Sequence, residues 1–464
     1  MVYEKFIYGL RHLWRSPVDE SGRLKVFHPE DQFNPPLIWD GLKNPDLPVH
    51  VEVFSVRGPV PDSALYTGFE VKDEERRRFY LERFMKVSPS PAYVAEDGRV
   101  VWHHRPMYHP HNELILYAGL DPDNPSDLGA DISHYLGLGD RSERHDFNRS
   151  TLLWVPPGFV HGPDRIANFR KPFKLLVIVP DYPTVVEHGV LEHPPDYKPF
   201  LAEPREYVDI KRTRLVGPKP VDPLTFPKGR LREASPTGRR FAYSVDRAWF
   251  SPIDESGKLR NFHQEDQLNP PLIWDGLSIP EFPFHVEVYL VRGDGTDFYP
   301  NMGFEVRDKD MRLFFEKLMK VSPGPVFRAE DGRIIWSRRP MYHPHNEFTF
   351  FVGTDSYNPT DLGGEVHLWL GLGDRSERHI IREPSFVWIP RGLVHGPVLF
   401  RNMRKPLMWV SVVPDSAYRI EHSVNEWPPE YEPYPKQPRE YVDLTKTRLV
   451  GPKPSDLEIF PAYW

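Results

Sequence analysis

Two imidazoles and a carboxylate stand two residues apart in His109-Pro-His-Asn-Glu113. On an extended strand side chains alternate faces, so His109, His111 and Glu113 would project to one side. A fourth donor, His161, closes Val155-Pro-Pro-Gly-Phe-Val-His161 just after a Pro/Gly turn. The set is written again as His343, His345, Glu347 and His395. Imidazole nitrogen with carboxylate oxygen suits a divalent Mn, Fe, Zn, Ni or Co ion, whereas Ca and Mg prefer oxygen shells. A lone His-x-His is more often packed or exposed than ligating. The added carboxylate, the turn histidine and the repetition of both argue for an ion, up to one per copy.

Reach limits the ligand set. Four residues of straight strand rise roughly 13 Å, too far for three side chains to share an ion at about 2.1 Å. Pro110 and Pro344 permit a bend, since strand prolines occur at edges and bulges. Either a bend lets all four donors converge, or, if the strand is straight, His109, Glu113 and His161 bind and His111 serves as a base or supporting group. Flanking residues add candidates. Arg105 and Arg339, with Tyr108 and Tyr342, immediately precede the donors and would face substrate or make structural pairs. His145 and His379, in Glu-Arg-His triplets, are expected on a solvated hairpin tip, with proton transfer as the alternative for His145. His50 with Glu52, and His285 with Glu287, read as satisfied structural pairs before they read as ligands. Trp39 and Trp274 are expected to anchor the preceding segment to the rest of its domain.

The elements that must position these groups are themselves duplicated. Asn34-Pro-Pro-Leu-Ile-Trp-Asp-Gly-Leu42 returns at 269–277, Arg105–Glu113 at 339–347, and Leu136–His145 at 370–379. The offset of 235, then 234, is far longer than a solenoid period, so each copy is a domain. The expected domains are 1–232 and 233–464, joined through a Pro-, Gly- and Lys/Arg-rich linker at Leu215–Arg240. Apolar spacing at Met311, Phe314 or Phe315, and Leu318 predicts a helix over 311–320, with a counterpart over 74–86. Elsewhere short β-branched and aromatic runs, such as Leu152-Leu-Trp-Val155 and Phe173–Val179, alternate with Pro/Gly/Asp turns. Proline numbers 53 among 464 residues, too many for long helices or central strands. Each half should be mainly β, a barrel or a sandwich.

Composition removes whole classes of function. A net charge of −7 opposes binding to nucleic acid or an anionic membrane. With no cysteine, disulfides, thiolate metal sites, iron–sulfur clusters and cysteine nucleophiles are excluded. No run approaches the roughly 18 apolar residues of a membrane span. The first ten residues carry Glu4 and no apolar core, unlike a secretory signal. The expectation is a soluble, cytoplasmic protein.

With these residues in view, each half resembles a cupin and the whole chain a bicupin. The cupin PxGxxH motif is met as Pro156-Pro-Gly-Phe-Val-His161 and Pro390-Arg-Gly-Leu-Val-His395. The family's first motif, HxH followed by Glu, is compressed here. If Glu113 keeps the family's place, His109 takes that of the second His and Met107 that of the first. The resemblance is strongest over 100–180 and 334–414. It implies a tandem of double-stranded β-helix (jelly-roll) barrels, each with an additional N-terminal segment and a short helix, and commonly a homodimer. The chain also resembles bicupin cyclohydrolases that open dihydrophloroglucinol-like rings. That likeness implies manganese, with iron or zinc as alternatives, and hydrolytic C–C cleavage of a cyclic β-diketone. On that reading His111 or His145, with His345 in the second copy, moves protons, while Arg105 or Tyr108, with Arg339 or Tyr342, steadies the oxyanion. The alternatives are an Fe(II)-dependent ring-cleaving dioxygenase and a metal-stabilised binding protein without turnover.

Overall fold

In the computed structural model, description is near-continuous over residues 37–58, 92–196, 272–296 and 302–431, with shorter stretches at 3–9, 67–82, 208–217, 242–244 and 442–450. These residues fall into two compact units, one of 11–120 and 125–245, the other of 1–10, 121–124 and 246–464. The chain is mainly β, and each unit contains a jelly-roll barrel of two antiparallel sheets with a third, smaller sheet.

In the first unit, one sheet orders its strands Ala242–Ser244, Thr151–Val155, Glu113–Gly119, Phe173–Val179, His50–Val56 and Leu37–Trp39. The facing sheet runs Glu143–Arg149, Asp127–Leu136, His161–Ala167, Met107–Tyr108 and His188–Gly189. Both sheets contribute to one buried cluster. Ile115, Tyr117, Leu153 and Phe173 from the first meet Leu128, Ala130, Ile132 and Ile166 from the second. On the strand Asp127–Leu136 the core residues recur at every second position, the period of a pleated strand with one face inward. Several successive strands, among them Met107–Tyr108 with Glu113–Gly119 and Thr151–Val155 with His161–Ala167, lie in different sheets, and the candidate donors sit at those crossings.

The second unit repeats the plan. Its first sheet is Ile7–Gly9, Ser385–Ile389, Glu347–Gly353, Leu407–Val413, His285–Val291 and Leu272–Trp274. Its second is Glu377–Ile381, Glu365–Leu370, His395–Arg401, Met341–Tyr342 and His422–Ser423. Ile7–Gly9, first in the sequence, is thus an edge strand of the second unit, and Ala242–Ser244 of the first.

The segment ahead of each donor motif divides in two. The strands carrying Trp39 and Trp274 join the barrel, and both indoles are buried. Other described residues of the segment form a helix and, with short strands from after the barrel, a small sheet. In the second unit that helix is Lys309–Leu318, with Phe315 buried against Val306, Val326, Ile334 and Trp336. In the first it is Glu74–Phe79, and part of the predicted 74–86 span lies outside the described residues. Of the expected linker, Leu215–Gly217 is a strand paired with Ala92–Ala95, because its backbone completes that small sheet. Most of the rest lies outside the described residues. No helix among the described residues is long and apolar enough to cross a membrane.

Candidate metal centres

The bend that the spacing demanded is present. Met107–Tyr108 belongs to one sheet and Glu113–Gly119 to the other, so His109-Pro-His-Asn112 is the corner between them. Two pairings bring the second motif alongside. Val155 lies opposite Glu113, and His161 lies opposite Met107. The intervening turn is pinned to the corner, since the Gly158 N–H donates to the carbonyl of His109 at 2.7 Å. Gly158 has φ of 76°, a left-handed conformation that L side chains resist. Gly392, at φ 81°, makes the same bond to His343 at 2.8 Å.

His109, Glu113 and His161 converge. His109 Nε2 is 3.4 Å and His161 Nε2 3.0 Å from Glu113 Oε2, and the donor atoms lie within 4.8 Å of one another. In the second unit His343 Nδ1 is 3.3 Å and His395 Nε2 3.4 Å from Glu347 Oε2. Ligands held about 2.1 Å from a shared ion, at right or tetrahedral angles, lie roughly 3.0–3.4 Å apart, which matches this spacing.

Both nitrogens of His109 and of His343, with Oε2 of Glu113 and of Glu347, are buried without a hydrogen-bond partner. Orphaned buried polar atoms are costly, and several facing one point fit a cation. Burial pushes the His109 and His343 imidazoles well below their ordinary value. Burial alone would raise the two carboxyls. Instead His109 and His161 hold Glu113 low, and Arg419 with His343 holds Glu347 low. Neutral imidazole and ionised carboxylate are the ligating forms. The His395 Nδ1–H donates to the Leu393 carbonyl at 3.1 Å, which turns the Nε2 lone pair toward Glu347.

The same bend leaves His111 and His345 outside the two converging groups. His111 Nε2 accepts the Val186 N–H at 3.0 Å, and its Nδ1–H donates to the Asn112 carbonyl at 3.1 Å. His345 does likewise with Ile420 at 3.0 Å and Asn346 at 3.2 Å. Both nitrogens being engaged, neither ring can ligate or act as a base without breaking a bond. Burial, the largest influence, takes His345 down to about 4. Each ring instead packs nearly parallel to the candidate ligand His109 or His343 two residues earlier, with centroids 4.8 Å apart.

The flanking candidates are spread more widely. Arg105 lies outside the described residues. Arg339 is half-buried and donates to Asn425 Oδ1 at 2.6 Å. Tyr108 packs with Val160 and Val190 and stacks on His188, and Tyr342 packs with Val394 and Val424 and stacks on His422. Both tyrosines therefore belong to small clusters separate from the main barrel core. His145 and His379 stand opposite His134 and Leu368 on the outer strand of their sheets, 3.9 and 3.6 Å from Glu143 and Glu377. His50 and His285 pair with Glu52 and Glu287 at 2.9 and 2.8 Å, the structural pairs expected.

Two polar groupings escaped the motif reading. In the second unit, buried Arg419 donates to Glu287 Oε2 at 2.6 Å and to Glu347 Oε1, which also accepts from Ser411. In the first unit, His134 Nδ1 bonds Asp164 Oδ1, and the Tyr117 hydroxyl donates to Asp164 Oδ2 at 2.5 Å. The available signal was the misfit between copies. Arg419 stands where the first copy has Val185, and His134 and Asp164 stand where the second has Leu368 and Val398.

No family model matches the chain, and no curated protein matches it. Solved structures do. Two variants of Bacillus subtilis oxalate decarboxylase align over 90% of this chain and 79% of theirs, at 9% identity, with TM-scores of 0.41 and 0.43. The same enzyme at pH 4.6 aligns over 90% and 78%, at 8% identity and a TM-score of 0.41. At that identity and TM-score none of their chemistry passes to this chain.

Proposed function

We propose that this chain is a metal-dependent enzyme acting on a small oxygenated substrate, by hydrolytic C–C cleavage of a cyclic β-diketone. The observation that supports it is the triad of His109, Glu113 and His161, with orphaned donors facing one point, repeated as His343, Glu347 and His395. His109, Glu113 and His161 would hold a divalent transition ion, which would supply Lewis acidity to a substrate with adjacent or 1,3-related oxygens. Manganese is the proposed ion, on the resemblance to diketone cyclohydrolases.

The chain's own residues contribute position and exclusion. His109 and Glu113 are fixed by the corner between sheets, and His161 by the turn bonded to that corner, so the donors need little reorganisation. All three are buried, and the strand residues beside them are apolar, so bulk water is kept from the reacting centre. His111 keeps the Val186 backbone in place and leaves proton transfer to another group.

A second reading has its own support. Two imidazoles and one carboxylate with open positions are the ligand set of non-haem Fe(II) oxygenases. The deciding experiment incubates Mn-loaded and Fe(II)-loaded protein with dihydrophloroglucinol under argon and in air. Ring-opened acid formed under argon, gaining one water, supports the hydrolase. Product formed only in air with iron supports the oxygenase. With metal bound and no turnover in any arm, a non-catalytic binding protein is left.

A further inference from the structure

Inside the first barrel lies a buried polar group that the metal triad does not use. The inward face of Asp127–Leu136 reads Leu128, Ala130, Ile132, His134, Leu136, so His134 occupies a position whose neighbours are all core residues. Opposite it in register is Asp164, three residues beyond the ligand His161. Asp164 takes the His134 Nδ1–H on one oxygen and the Tyr117 hydroxyl on the other, at 2.5 Å. A carboxylate on Nδ1 sets the tautomer and leaves the Nε2 lone pair as the basic atom. That Nε2 is buried and has no hydrogen-bond partner. The His134 ring lies nearly parallel to that of His161, at 19° with centroids 6.0 Å apart.

The second barrel supplies an internal comparison. At the offset of 234 that aligns the ligands, Tyr117, His134 and Asp164 are replaced by Phe351, Leu368 and Val398, all buried and apolar. The barrel therefore folds with hydrocarbon at all three places. Burying an imidazole, a carboxylate and a phenol there, with one nitrogen unsatisfied, is not required by the architecture. In the second unit, moreover, Glu347 is committed through Oε1 to Arg419 and Ser411, so a neighbouring cation already offsets its charge.

We propose that His134 is a catalytic residue of the first unit, carrying the proton in the reaction proposed above, with Asp164 and Tyr117 as its positioning residues, and that the first unit is the working centre. This assignment rests on the hydrolytic reading. As the oxygen of water bonds to one carbonyl carbon, its proton passes to His134 Nε2. The C–C bond then breaks, its electron pair becoming an enolate. His134 returns the proton to the freed carbon, so that one diketone and one water give one keto acid.

The test uses the full-length Mn-loaded protein. The double substitution His134→Leu with Asp164→Val copies the second barrel and guards against misfolding from a stranded buried charge. It is expected to keep the wild-type metal content and melting temperature, while turnover of dihydrophloroglucinol falls about 10²- to 10⁴-fold. Free imidazole is expected to restore part of the activity of His134→Ala, which a purely structural role would not allow. Wild-type turnover in the double variant overturns the assignment, as does loss of metal in step with loss of activity. A substrate-independent arm separates this failure from failure of the proposed reaction. In Zn-loaded protein labelled with ¹⁵N-histidine, acetate binding should shift the His134 and His161 resonances together. A shift at His161 alone overturns the placement of His134. Inactive wild type with both resonances shifting overturns only the choice of reaction.

Discussion

At the scale of single residues, the deciding fact is which nitrogens are already in use. His109 and His111 are two positions apart and equally buried, yet one has two orphaned nitrogens and the other none. His109→Ala should therefore release one ion per chain, measured by elemental analysis. His111→Ala should retain the ion and instead lower stability by about 1–3 kcal/mol, because the Val186 N–H loses its acceptor. Denaturant unfolding with metal determination on the same samples separates the two. His50 offers a pH-dependent test. Burial would lower its pKa, but Glu52 and Asp40 outweigh that and raise it above the ordinary 6.5. A folded-state value above the unfolded one stabilises below about pH 6.5, and the benefit fades as pH rises through the folded value. The stability gap between wild type and His50→Asn should thus be wider at pH 6 than at pH 9.

Elements convert short motifs into a centre. The donor corner and the PxGxxH turn come from different strands, tied by the register of Val155 with Glu113 and by the Gly158 to His109 bond. The turn glycine is needed for its backbone: at φ 76°, a side chain costs roughly 1–2 kcal/mol. Gly158→Ala should weaken metal binding in the first unit more than it lowers the melting temperature, read by titration with a competing chelator. Of these elements, the strands, the glycine turn and the bend at Pro110 were legible from alternation, spacing and reach. The second-unit helix was legible from its apolar stripe, and its bounds, Lys309–Leu318, sit two residues ahead of the expected 311–320. The destinations of Ile7–Gly9 and Ala242–Ser244 were not legible, because three-residue edge strands carry no pattern that names a partner.

For the molecule as a whole, duplication makes each barrel a control for the other. Chelation should remove metal in two phases, the second unit losing its ion first, because Arg419 competes with a cation for Glu347. Melting curves taken along the chelator titration should fall in the same two phases, since an ion bound only by the folded state stabilises it by mass action. Read as a string of residues, the chain already determined its duplication, its mainly-β character, its lack of thiol chemistry and the short list from which any donors must come. Those depend on composition and local spacing, which a sequence displays directly. The tertiary structure alone decided that the bend spends His111 on the Val186 backbone rather than on a cation. It alone set Arg419 between Glu287 and Glu347, and His134 beside His161. Each of those facts joins residues far apart in the chain, and only the pairing and packing of strands brings them together.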